Sequence, residues 1–74
     1  MSVKEAMYDT ALAEFHSQRD KAIATARIYL EHPVGIGAHP QVIDEFIKQI
    51  KIAAESEEAA SMLVDTFRDE IAQE

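Results

Sequence analysis

Apolar residues in the second half of the chain recur at alternating steps of three and four positions. The series consists of Ile43, Phe46, Ile50, Ala53, Glu57, Ala60, Val64, Phe67 and Ile71. This spacing is the heptad pattern of a helix that packs against another helix, and Glu57 is its only charged member. Apolar neighbours widen the seam into a face broader than one partner helix covers. We therefore expect a second contact surface, for a second copy or another protein, with Val42, Ile47, Ile52 and Leu63 as candidate residues.

The first half carries a seam of the same period. It consists of Glu5, Tyr8, Leu12, Phe15, Arg19, Ala22, Ala26 and Tyr29. Arg19 is the one charge in its interior, opposite in sign to Glu57. The pattern therefore predicts a second long helix with its own apolar face.

Between the two seams, residues 32–40 contain every Gly and every Pro of the chain. Such residues end helices and form turns, so the sequence predicts an all-α antiparallel hairpin. Its helices are expected over about 3–31 and about 40–72, joined by a loop over 32–39, within a single domain of residues 1–74. A polar interlude at Ser17, Gln18 and Asp20 offers an alternative in which the first helix breaks and the chain forms three helices.

Arg19 and Glu57 lie nearly equally far from the loop, so folding back would bring them together. We predict that they form a register-setting charge pair, within one chain or across a dimer. The alternative is that both side chains extend to solvent beside the small residues in the middle of the hairpin.

Composition limits the partners. Of the 74 residues, 14 are acidic and 7 basic, which gives a formal charge of −7 and disfavours direct contact with nucleic acid or anionic lipid. The chain has no Cys, so neither a disulfide nor a thiolate metal site can support so small a domain. Oligomerisation is the common remaining route, and a homodimer forming a four-helix bundle is expected first. The start of the chain does not resemble a signal peptide and no apolar run has membrane-spanning length, so a cytoplasmic location without membrane contact is expected.

The loop offers three interpretations. Its apolar residues can plug the end of the bundle. Alternatively, the backbone amides of Gly35 and Gly37, with His32 and His39, can bind an anion or another small ligand. The third interpretation is a divalent metal held by His32 and His39 with a nearby carboxylate.

Residues for catalysis are scarce. The chain has no Cys nucleophile, and it contains no Glu-x-x-His motif of the kind that builds dinuclear metal sites in helical bundles. The sequence therefore indicates a protein that is not an enzyme and needs no cofactor.

The loop segment from Ile28 to Gly37, continuing to His39 and Pro40, carries a resemblance to other proteins. It resembles a loop of small uncharacterised helical proteins encoded by tailed bacteriophages. An acidic residue often precedes the second His of that loop, whereas this chain has Ala38. The resemblance implies a phage or prophage origin and a bacterial host cell.

Two functions remain as hypotheses. The first is an acidic, homo-oligomeric interaction protein that binds a host or viral protein through that protein's basic or apolar surface. The second is a small-ligand, anion or metal-binding module at the hairpin loop.

Overall fold

A computed structural model of the protein describes residues 2–32 and 40–73. They form two helices, α1 (Val3–Glu31) and α2 (Pro40–Ala72), packed side by side over dimensions of 55 × 18 × 14 Å. The helices are antiparallel, since Tyr29 and Val42 share a groove near the loop, whereas Lys4 and Glu70 share one near the open end. The predicted all-α hairpin is confirmed. The three-helix alternative is wrong, because α1 continues without interruption through residues 17–20.

Local hydrogen bonds mark both ends of α1. Ser2 precedes the helix in an extended conformation, with φ −84° and ψ 167°, and its Oγ accepts a hydrogen bond from the Glu5 backbone N–H at 3.1 Å. This is the capping arrangement that satisfies one of the free N–H groups of a first helical turn. At the other end, the His32 N–H donates to the Ile28 carbonyl at 3.0 Å. His32 then leaves the helical region, as expected for a residue that precedes proline.

Small residues form the most deeply buried part of the interface between the helices. Ala22 and Ala26 of α1 and Ser56 and Ala60 of α2 are all at least 95% buried. The Ser56 hydroxyl donates to the Ile52 carbonyl at 2.7 Å, so this buried polar group is satisfied within its own helix. No large side chain among the described residues is completely buried. The two helices therefore approach closely in the middle without enclosing a core of large residues.

The α1 seam faces α2 as predicted, because its eight members are all buried or half-buried. The α2 seam is wrong at four of its nine members: Phe67 is 44% exposed, Ile43 and Ile50 are 47% and 48% exposed, and Glu57 is exposed as well. The residues one position before the last three, Val42, Gln49 and Ser56, face α1 instead. A charge at a core position would lose its hydration, whereas a hydroxyl can bond to its own helix. The rotation of α2 that buries Ser56 thus leaves two isoleucines outside.

Candidate functional site

Arg19 and Glu57 lie opposite each other on the two helices. Arg19 Nη1 donates to Glu57 Oε2 at 2.7 Å, and Arg19 Nε donates to Asp20 Oδ1 at 2.9 Å. The guanidinium therefore joins a carboxylate of its own helix and one of the other helix. The side chains of Arg19 and Glu57 are 27% and 55% exposed, so the contact lies at the edge of the helix interface rather than inside it.

These contacts have one electrostatic consequence. The hydrogen bond to Asp20, followed by that to Glu57, raises the pKa of Arg19 above its usual value. Arg19 therefore stays charged throughout the accessible pH range. Because it is a fixed cation held between two carboxylates, Arg19 has the features of a positioning group and lacks those of a proton donor in catalysis.

Large apolar side chains remain exposed on both helices. Within the described ranges they are Val3, Met7, Ile28, Leu30, Ile43, Ile47, Ile50, Met62 and Phe67. Scattered exposed apolar residues are ordinary on a soluble protein, but contiguous ones mark surfaces that contact something. Two contiguous groups lie within these described ranges, one towards the loop and one towards the open end.

The group nearer the loop consists of Leu30, Ile43, Ile47 and Ile50, which we name the loop-side stripe. Leu30 and Ile43 line a shallow apolar groove of about 140 Å³ between the ends of the two helices. Ile43, Ile47 and Ile50 follow at helical steps of four and three, so their side chains are neighbours on one face of α2. The stripe therefore joins both helices into one apolar surface.

The group nearer the open end forms a wider groove of about 370 Å³ between the helices. Met7 and Ala11 of α1 and Leu63 and Phe67 of α2 supply its apolar wall, and Lys4 and Glu70 lie at its end. The groove is open to solvent along its length. It is an apolar surface with charged groups at its margin.

Charge is distributed unevenly along the hairpin. The half towards the open end, residues 2–16 and 58–73, carries two basic residues, Lys4 and Arg68, and seven acidic ones: Glu5, Asp9, Glu14, Glu58, Asp65, Asp69 and Glu70. The half towards the loop, residues 17–32 and 40–57, carries five basic residues, Arg19, Lys21, Arg27, Lys48 and Lys51, and six acidic ones: Asp20, Glu31, Asp44, Glu45, Glu55 and Glu57. The loop-side stripe thus lies in a nearly neutral half, and the acidity is concentrated at the open end.

The residues predicted as the oligomer or partner face are separated in the structure. Ile47 is 46% exposed and belongs to the loop-side stripe. Val42 and Leu63 are half-buried and line the two different grooves, and Ile52 is half-buried as well. Ile47 is therefore the member of this set that the hairpin leaves most available for a partner.

Of the loop residues predicted to bind an anion, another small ligand or a metal, the structure describes His32. Gly35, Gly37 and His39 lie outside the described residues. His32 is exposed and ends α1. In the two described segments, no three His, Asp or Glu side chains are grouped closely enough to hold a metal ion.

Comparison with known protein families, with curated proteins and with solved structures finds no match to this chain. Neither described helix has the length and apolar character needed to cross a membrane. Function is therefore inferred from the geometry of the hairpin and from its sequence.

Sequence reasoning missed two features of this surface. It placed Ile43 and Ile50 inside the helix pair, although Glu57 and Ser56 together signalled the rotation that exposes them. It also used the net charge without its distribution, and the concentration of basic residues in the half towards the loop is visible only when the chain is folded back on itself. Both signals were present in the sequence and needed the hairpin geometry to be interpreted.

Proposed function

We propose that this protein is an acidic, homo-oligomeric interaction protein without catalytic activity. Its partner, beyond a further copy of itself, is a host or viral protein with a basic surface. The observation that carries the proposal is the exposure of large apolar residues on a hairpin whose deepest residues are small. A helix pair that leaves so much apolar surface in water gains stability when another chain covers it.

The charge distribution supports the choice of a basic partner. Seven acidic and two basic residues on the open half give a strongly negative end to an elongated molecule. Such a field accelerates association with a positively charged surface and repels nucleic acid and anionic lipid. The resemblance of the loop to that of phage-encoded helical proteins favours a partner in a bacterial host or a virus.

Native mass spectrometry, with and without added zinc, tests the oligomer and its competitor together. We expect a dimer, or a multiple of one, with the same mass in both conditions. A zinc-bound species of fixed stoichiometry that disappears in His32→Ala and His39→Ala variants would favour the loop-binding function instead. A monomer at micromolar concentration would overturn the homo-oligomeric part of the proposal.

The basic partner is tested by the response to salt. Once a partner is captured, its affinity for this protein should fall steeply between low and high ionic strength, because exposed charges are screened. Charge reversal at the open half, Asp65→Lys with Asp69→Lys, should weaken the complex. The matched variant Glu45→Lys with Glu55→Lys, at two exposed residues of the neutral half, should have less effect. An affinity insensitive to salt and to both variants would show that charge does not carry the contact.

A further inference from the structure

We infer that a second copy of this chain docks on the loop-side stripe in antiparallel orientation, about a twofold axis that passes close to Ile47 and Ile50. The inference rests on the proposed homo-oligomeric function. It specifies the face through which two copies meet, their relative orientation and the ends of the hairpins that stay free. Three observations support it: the area of the stripe, the charged residues beside it, and the uneven distribution of net charge between the two halves of the hairpin.

The stripe is large enough to act as the centre of an interface. Leu30 is 63% exposed, and Ile43, Ile47 and Ile50 are each nearly half exposed, which amounts to roughly 350 Å² of surface on these four residues. That area lies within the roughly 300–600 Å² of the largest apolar patch on a typical protein, and the side chains around it would supply the polar rim of a dimer interface. Past Ile50, the exposed residues on the same side of α2 are small or polar, so the stripe extends no further: they are Ala54, Glu57, Glu58 and Ser61. Apolar contact is therefore confined to the beginning of that helix.

The flanking charges select the antiparallel orientation. Asp44 and Lys51 are both exposed and lie seven residues apart, so they share one flank of the stripe. When two copies of a helix pack antiparallel about a twofold axis, equivalent flanks meet. Asp44 of one copy then lies near Lys51 of the other, and the symmetry forms this pair twice. In a parallel pair this flank would meet the opposite flank, where the residues at the heights of Asp44 and Lys51, Phe46 and Ala53, are uncharged and half-buried.

The distribution of charge along the hairpin points to the same arrangement. Two copies that overlap at their neutral halves direct their acidic ends away from each other. Those ends are then separated by several Debye lengths of about 8 Å, so their repulsion is screened. A parallel dimer, or one formed through the groove of Met7 and Phe67, would bring acidic halves together. The second copy is thus favoured on the loop-side stripe and disfavoured on the open-end groove.

The arrangement has a measurable shape. If the twofold axis crosses α2 between Ile47 and Ile50, each open end lies about 24 residues, or roughly 36 Å, from it. The dimer is then about 75 Å long, whereas two hairpins overlapping along their whole length would form an object close to the 55 Å length of one hairpin. The acidic ends lie at the two extremities, where they remain free for a basic partner.

Disruption of the dimer provides the first test. Ile47→Glu places a charge in the centre of the interface in each copy, and we expect the dimer dissociation constant to rise at least tenfold by sedimentation equilibrium. Met62→Glu is the matched control, because Met62 is exposed on the same helix but lies in the acidic half. Its dissociation constant should change much less. Equal weakening by the two variants, or none by Ile47→Glu, would overturn the inference.

Cross-linking provides a second test that does not depend on a disrupted variant. The chain has no Cys, so a single introduced thiol reports one position. Ile47→Cys should cross-link rapidly to its counterpart with a short bifunctional maleimide, whereas Met62→Cys should not. Small-angle X-ray scattering of the parent protein should give a maximum dimension near 75 Å.

The possible outcomes separate the inference from the proposed function. Cross-linking through Ile47 in an elongated dimer supports both. A dimer that cross-links through Met62, or whose maximum dimension is near 55 Å, overturns the inference and leaves the homo-oligomeric function in place. A monomeric parent protein overturns both.

Discussion

Arg19 of α1 and Glu57 of α2 are 38 positions apart in sequence and are joined by a 2.7 Å hydrogen bond across the hairpin. The bond is possible only when the two helices are aligned so that these residues lie at the same height. Sliding one helix by a single turn, about 5.4 Å, would separate the two groups. The contact thus distinguishes one register of the hairpin from its neighbours, although its exposure at the edge of the interface limits what it adds to stability.

The first prediction concerns the strength of this contact. Arg19→Gln removes the hydrogen bonds to both Asp20 and Glu57, whereas Glu57→Gln removes only the charge of one acceptor. We expect Arg19→Gln to lower Tm only slightly, because the carboxylates of Asp20 and Glu57 stay hydrated without it. Glu57→Gln should lower Tm less, because Arg19 keeps its contact with Asp20. Thermal unfolding followed by circular dichroism measures both values. If Glu57→Gln had the larger effect, Glu57 would have a second partner.

The second prediction concerns pH. A raised folded-state pKa means that the contribution of Arg19 is fully present below its unfolded pKa and is lost only as the pH rises through the folded value. Both values lie far above neutrality. The Tm difference between the parent protein and Arg19→Gln should therefore stay constant between about pH 7 and 10. A difference that disappeared within this interval would indicate that another titrating group controls the contact.

The third prediction concerns the close approach of the helices at Ala22. Ala22→Leu inserts a large side chain where the helices touch, so it should destabilise the hairpin by about 1–3 kcal/mol. Ala24→Leu is the matched control, because Ala24 is exposed on the same helix two positions away. Its effect should stay within about 0.5 kcal/mol. Urea unfolding of the two variants at equal protein concentration makes the comparison, and equal stabilities would contradict the packing described for α1 and α2.

The fourth prediction concerns the start of α1. Ser2→Ala removes the oxygen that accepts the Glu5 N–H, and the loss of such a cap typically costs about 1 kcal/mol. Amide hydrogen exchange in the first turn should accelerate in this variant. Ser17→Ala is the control, since Ser17 is an exposed residue in the middle of the same helix. Unchanged exchange at Glu5 in the Ser2 variant would show that another acceptor replaces the hydroxyl.

Sequence reasoning was most accurate where it relied on short-range rules. The period of apolar residues and the Gly and Pro positions indicated two helices, and the structure has them at Val3–Glu31 and Pro40–Ala72. The α1 seam was assigned correctly, since all eight of its members are buried or half-buried. On α2, nearly half of the residues assigned to the seam are exposed instead. The apolar residues of this helix cover a broad arc, and their period alone does not select the part of the arc that meets α1.

The sequence by itself determined the helices, their reversal at the loop and the acidity of the chain, because each follows from local backbone preference or from composition. The tertiary structure decided the rest. It showed that Ser56, and not Glu57, enters the interface, since a self-satisfied hydroxyl is cheaper to bury than a charge. It also left Ile43 and Ile50 outside the helix pair, although the heptad pattern places them inside. Those outcomes depend on how two whole helices fit together, which no local pattern contains.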